Sequence, residues 1–232
     1  MKLHKVIFIF SLLLNINFSY SSELSESEIK RLRFIENSFR QGDKWANYWQ
    51  WGFWGMYTAG AVVRGALYFS LKNKDNISEE DRIKRFDYGV DAVKATIGSI
   101  GLWFRPLVAD RAYKEITSLP DGKAKLKRAE ELLTKAEKRV KGEMSWIRRT
   151  SALVINGLAY LAIANGDNRP KDGLINFAIG MTVSEIQIRT VPERPIRDAA
   201  TYRKRFQIKE SSIWDNLQIY PAINRIHLTY SF

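Results

Sequence analysis

The run Trp45–Leu71, WANYWQWGFWGMYTAGAVVRGALYFSL, decides how the rest of the chain is read. It holds four of the seven tryptophans and a single charge, Arg64. Apolar residues fall on every side of a helical projection, so a helix here has no polar face to offer water. Such a helix is buried in a large core or lies against lipid. Aromatics crowd its start, and Tyr68 and Phe69 return near its end. At 1.5 Å per residue, Trp51 and Tyr68 stand roughly 25 Å apart, close to the separation of the aromatic bands at the two faces of a bilayer. Gly55 with Ala59, and Ala61 with Gly65, leave room for close helix contact.

Working outward, Ser25 and Glu28 match a capping box, followed by Ile29, Leu32, Ile35 and Phe39 at helical spacing. Gly42-Asp43 is expected to weaken this helix before the tryptophan run. On the other side, Ser78 caps a helix carrying Ile83, Phe86, Val90, Val93, Ile97, Ile100 and Phe104 in an unbroken seam that ends at Pro106. Pro120-Asp121-Gly122 is a turn. Leu126, Ala129, Leu133, Ala136, Val140 and Ile147 then form one face of a long amphipathic helix, which has a weak point at Gly142 and runs on into the apolar stretch Ser151–Ala164. Gly173–Ile188 is a fourth apolar helix, closed by Pro192 and Pro195, and a basic helix is expected near 198–206. Leu217, Ile219, Ile226, Leu228 and Tyr230 alternate with the period of strands.

The two halves share an order of apolar helix, charged turn, returning helix and proline, which suggests a duplicated helical hairpin. The fold expected is therefore all-α: four long helices as two apolar hairpins, amphipathic extensions, and a short C-terminal β-hairpin or extended tail. The domain limits are a leader at 1–21, a helical bundle at 22–206 and the tail at 207–232.

Composition narrows the function. Residues 1–21 have a basic start at Lys2, His4 and Lys5, an apolar run from Val6 to Leu14, and small residues at Ser19 and Ser21, as a secretory signal does. The net charge of +12 and pI near 9.8 would suit nucleic acid, but an exported chain does not meet it. An anionic membrane surface or a membrane protein is the expected partner. The chain has no cysteine and two histidines, His4 and His227, which excludes thiolate chemistry, histidine zinc sites and serine–histidine triads. No cofactor or metal is expected, and no nucleophile for an enzyme stands out.

Four spanning helices with residue 22 outside would leave most Lys and Arg outside, the reverse of the usual bias, so peripheral association is preferred to full spanning. Leu228, Tyr230 and Phe232 resemble the terminal signature of bacterial outer-membrane barrels. That resemblance covers about seven residues, and a helical chain departs from the family everywhere else. With the leader, it implies the periplasm or the outer membrane of a Gram-negative cell, with the inner membrane as the alternative.

Four charged residues are candidates for a polar core or pathway. Asp87 and Asp91 share a helix face and either bind a proton or cation or form a solvated, ion-paired surface with the basic residues around them. Arg64 and Glu185 each sit in an apolar run and need partners, Arg64 pairing with Glu185 or Asp91, with Asn156 and Asn176 in the same layer. Trp45, Trp49 and Trp51 are candidates for membrane or partner contact. The function expected is that of an exported, membrane-associated structural or interaction protein. The alternative is a small transporter or channel component using Arg64, Asp91 and Glu185.

Overall fold

The computed structural model of the protein describes residues 23–74, 76–208, 217–222 and 225–230. The leader at 1–21 and the terminal Phe232 lie outside them. The described chain is overwhelmingly helical. Its helices are α1 Glu26–Lys72, α2 Glu79–Phe104, α3 Ala109–Thr117, α4 Lys123–Met144, α5 Trp146–Gly166, α6 Pro170–Arg189 and α7 Arg194–Phe206. The segments β1 Leu217–Ala222 and β2 Arg225–Tyr230 run antiparallel, with Ile219 opposite Leu228.

α1 is 47 residues long, about 70 Å at the helical rise, and it organises everything else. Ser25 caps it through a complete capping box with Glu28. The weak point expected at Gly42-Asp43 does not break the helix. A mid-helix glycine costs only about 1 kcal/mol, and Gly42 is buried where the Arg194 side chain of α7 passes. Tertiary packing outweighs the local preference.

The first half of α1 packs with α3, α4 and α7 into a conventional head. Ile35, Phe39, Ala46, Ile116, Leu133, Ala136, Val140 and Tyr202 are all within 4% of full burial and belong to one core. The second half of α1 packs along α2, α5 packs along α6, and α2 meets α5. These four segments form a second body that continues from the head along α1.

α4 and α5 are separate helices. Ser145 ends one and caps the other, its hydroxyl accepting from the Arg148 N–H at 3.4 Å. Ile147 consequently belongs to α5 and is 62% exposed, where the sequence pattern put it on the α4 face.

The second half of the α2 seam faces outward. Val93, Ile97, Ile100 and Phe104 are exposed, Phe104 by 77%. The polar residues off that seam, Asp91 and Lys94, are the ones turned toward the other helices. A periodic stripe identifies a face but not the medium that the face meets.

Candidate functional site

The four-helix body is inverted relative to the head. Val62 and Val63 on α1, Val93 and Ile97 on α2, Leu153, Val154 and Leu158 on α5, and Leu174, Ile175 and Ile179 on α6 all lie on the outside, between 45% and 65% exposed. Together they make an apolar collar around all four helices. A contiguous apolar surface of this extent marks contact with a membrane or a partner. Three exposed hydroxyls on these helices bond to their own backbones: Thr96 to the Ala92 carbonyl, Ser151 to Ile147 and Thr182 to Ala178, at 2.8–2.9 Å. They therefore need no water.

Inside the collar lies a cavity of about 420 Å³, lined from all four helices. Arg64 pairs with Asp91 at 3.7 Å, and its guanidinium lies 5.1 Å from the centre of the Tyr88 ring. Asp91 also accepts from the Asn176 amide at 2.9 Å. The oxygen of that amide in turn accepts from the Lys94 ammonium at 2.7 Å. Asn156, only 4% exposed, donates to the Ala152 carbonyl. Gly180 makes room for this cluster. A Cβ there would fall 1.8 Å from the Asn156 Oδ1 and 2.9 Å from the Lys94 ammonium nitrogen, so the recess exists because the position has no side chain.

A buried polar layer closes the head end of the body. Gln50 bridges the α2–α3 corner, donating to the Leu102 carbonyl and accepting from the Leu107 N–H, at 2.9 and 3.0 Å. Gln187, 1% exposed, accepts from the Tyr57 hydroxyl at 2.9 Å and from Arg148 at 3.3 Å. Glu143 lies between Arg139 and Arg148. At the opposite end, Arg169 clamps Asp87, Asp167 and Asp172, and Arg82 also reaches Asp167. This network ties the α1–α2 turn region to the α5–α6 turn.

The sequence candidates therefore divide. Arg64 and Asp91 meet inside the body. Asp87 is held by Arg169 in the end clamp, apart from Asp91. Glu185 does not meet Arg64, pairing instead with Arg149 and Arg189 at 3.1 and 3.2 Å. Trp45 and Trp51 are 55% and 41% exposed, so both remain available for contact. Trp49 is not available: it is 3% exposed, and its indole N–H donates to the Gln187 carbonyl at 3.2 Å. Trp51, Trp54 and Trp103 cluster at the head end of the collar, Trp51 edge to face with Trp54 and Trp54 tilted against Trp103, and Trp146 is 72% exposed. Sequence reasoning missed Arg148, Glu143, Arg169 and Gly180. A glycine within the apolar run of α6 was the only local sign of the recess.

In the head, Arg203 donates to both carboxylate oxygens of Glu137 at 2.6 and 2.8 Å, and Lys141 approaches at 2.8 Å. The Arg203 bonds hold the Glu137 carboxyl down to about 2, against the cost of its burial. Burial and the Glu130 carboxylate push the Tyr202 hydroxyl up.

Among the described residues, no group of three or more acidic or histidine side chains lies close enough to hold a metal ion. Also among them, no helix is long and apolar enough to cross a membrane. Comparison of the chain with family models, curated proteins and solved structures gives no match.

Proposed function

We propose that this chain is an exported, membrane-associated helical protein with a structural or interaction role, and that lipid covers the collar of its four-helix body. The inversion carries this reading: aliphatic side chains face outward on all four helices while Asp91, Lys94, Asn156 and Asn176 face inward, with Arg64 at the mouth of the cavity, 44% exposed. Taken singly, the helices are diluted by those inward polar residues. The outer surface of the assembled body, which is what lipid would meet, is not. Polar groups within a bilayer face the bundle interior and pair with one another, as the Arg64–Asp91–Asn176–Lys94 chain does. Trp51, Trp103 and Trp146 at the head end, with Tyr68 and Phe69 at the other, support a lipid boundary at each level. The basic head then lies beside an anionic surface, where each Lys or Arg adds about 1 kcal/mol of attraction.

In this reading the two helical hairpins are duplicated units, and the terminal strands are an appended hairpin outside the lipid. With the leader, the compartment is the periplasm or outer membrane of a Gram-negative cell, or otherwise the inner membrane. The test is flotation with phosphatidylcholine–phosphatidylglycerol vesicles. The protein should float and stay bound through 1 M salt and carbonate, coming off only with detergent. Recovery in the aqueous fraction overturns the proposal. A transport role through Arg64 and Asp91 is the second reading, carried by the cavity, and unchanged ion flux in vesicles bearing Asp91→Asn counts against it.

A further inference from the structure

We propose that the cavity of the four-helix body binds an anionic single-chain amphiphile, with a carboxylate head at Lys94 and an alkyl chain along the aliphatic wall. Four cations line the cavity, Arg64, Lys94, Arg105 and Arg148, against two anions, Asp91 and Glu143. Both anions are occupied: Asp91 by Arg64 and Asn176, Glu143 by Arg139 and Arg148. The surplus is therefore positive. It centres on Lys94, whose ammonium has three donors and gives one of them to the neutral oxygen of Asn176. The other two have no ion-pair partner among the described residues.

Asp91 attracts the Lys94 ammonium but forms no direct ion pair with it, so a ligand carboxylate would give this desolvated ammonium the close partner it lacks among the described residues. Gly180, without a side chain, lets Asn156 and Lys94 lie close against α6 in the cavity wall. Beyond it, Ile97, Ile155, Ile179 and Val183 give the wall an apolar character that a small inorganic anion would not use. A volume of about 420 Å³ falls within the range of small-molecule sites. Access is from the α1 side, where Met56 and Arg64 are 46% and 44% exposed. Ile97 and Ile179 belong both to the rim of this site and to the collar.

The experiment is equilibrium binding of radiolabelled decanoate to the full chain in a non-ionic detergent, with protein-free detergent as the blank and 1-decanol as the uncharged competitor. Working in detergent keeps the outcome separate from whether the protein inserts into vesicles. Saturable binding of one decanoate per chain is expected, with decanol at least tenfold weaker as a competitor than unlabelled decanoate. Lys94→Gln should weaken decanoate roughly 10- to 100-fold, the worth of a charge-assisted hydrogen bond, while Lys94→Arg retains most of the affinity. Val183→Phe fills the cavity without touching the charge and should weaken decanoate and decanol alike. Absence of saturable binding, equal competition by decanol, or wild-type affinity in both Lys94→Gln and Val183→Phe overturns the proposal.

Discussion

Leu158 lies midway along α5 and is 63% exposed on the outer face of the collar. Replacing it with aspartate separates two media by magnitude alone. If water covers the collar, Leu158→Asp is a surface change and alters stability by about 0.5 kcal/mol or less. If lipid covers it, the variant loses the transfer energy of a leucine and takes on that of a charge near mid-helix, about 3–4 kcal/mol together. That converts to a loss of roughly 150- to 1000-fold in vesicle partitioning. The change removes no cavity contact, because Leu158 does not line the internal space. Ile29→Asp, at a 37% exposed position of the head, is the matched control and should shift partitioning less than threefold. The assay is sedimentation with sucrose-loaded phosphatidylcholine–phosphatidylglycerol vesicles over a range of lipid concentrations, with circular dichroism to show equal helicity. A Leu158→Asp variant that partitions within threefold of its parent refutes a lipid-covered collar.

Gly180→Ala should destabilise the protein by about 1–3 kcal/mol, because the new methyl falls 1.8 Å from the Asn156 Oδ1. Asn156→Ala in the same chain should recover part of that loss, giving a measurable coupling in a double-mutant denaturation cycle. Glu137 provides the pH signature. Its folded-state value of about 2 lies below the ordinary 4.5, so its contribution to stability is full above pH 4.5 and is lost as pH falls from 4.5 toward 2. Glu137→Gln should flatten that part of the stability profile and destabilise the head at neutral pH, as followed by chemical denaturation. Arg169→Ala removes the clamp on Asp87, Asp167 and Asp172 and should raise amide exchange in the α1–α2 and α5–α6 turns while leaving α4 unchanged.

Much of the helical plan was legible because caps and prolines are local. Ser25 and Ser78 begin α1 and α2, and α6 opens at Pro170, three residues before the start at Gly173 that the apolar pattern gives. The errors came where non-local packing overrode a local signal. Gly42-Asp43 is a weak point by local preference, yet Arg194, far along the chain, packs beside Gly42 and the helix runs through. Ser145 was read as helix interior, yet it ends α4 and caps α5.

The site was half legible for a related reason. Arg64 interrupts an apolar run, and a charge without local company must find a distant partner, so the sequence left Glu185 or Asp91 as its partner and the fold brings it to Asp91. Glu185 has Arg189 four residues on and Arg149 across the helix pair, which leaves it no need of Arg64. The direction of the α2 seam was not legible, since Val93, Ile97 and Ile100 keep the same period whether they face a core or a membrane. Trp49 shows the same limit in reverse. It resembles its exposed neighbour Trp51 in composition but turns its indole into the core.

The most direct test of a lipid-facing collar uses the absence of cysteine, which makes every single-cysteine variant a clean labelling site. Spin labels at Val62, Val93, Leu158 and Leu174 of the vesicle-bound protein, with Lys127 and Lys135 of the head for comparison, are relaxed in turn by dissolved oxygen and by a water-soluble nickel chelate. The collar labels should relax more with oxygen than with nickel, and the head labels the reverse. Nickel access at the collar equal to that at the head would contradict a lipid-covered four-helix body.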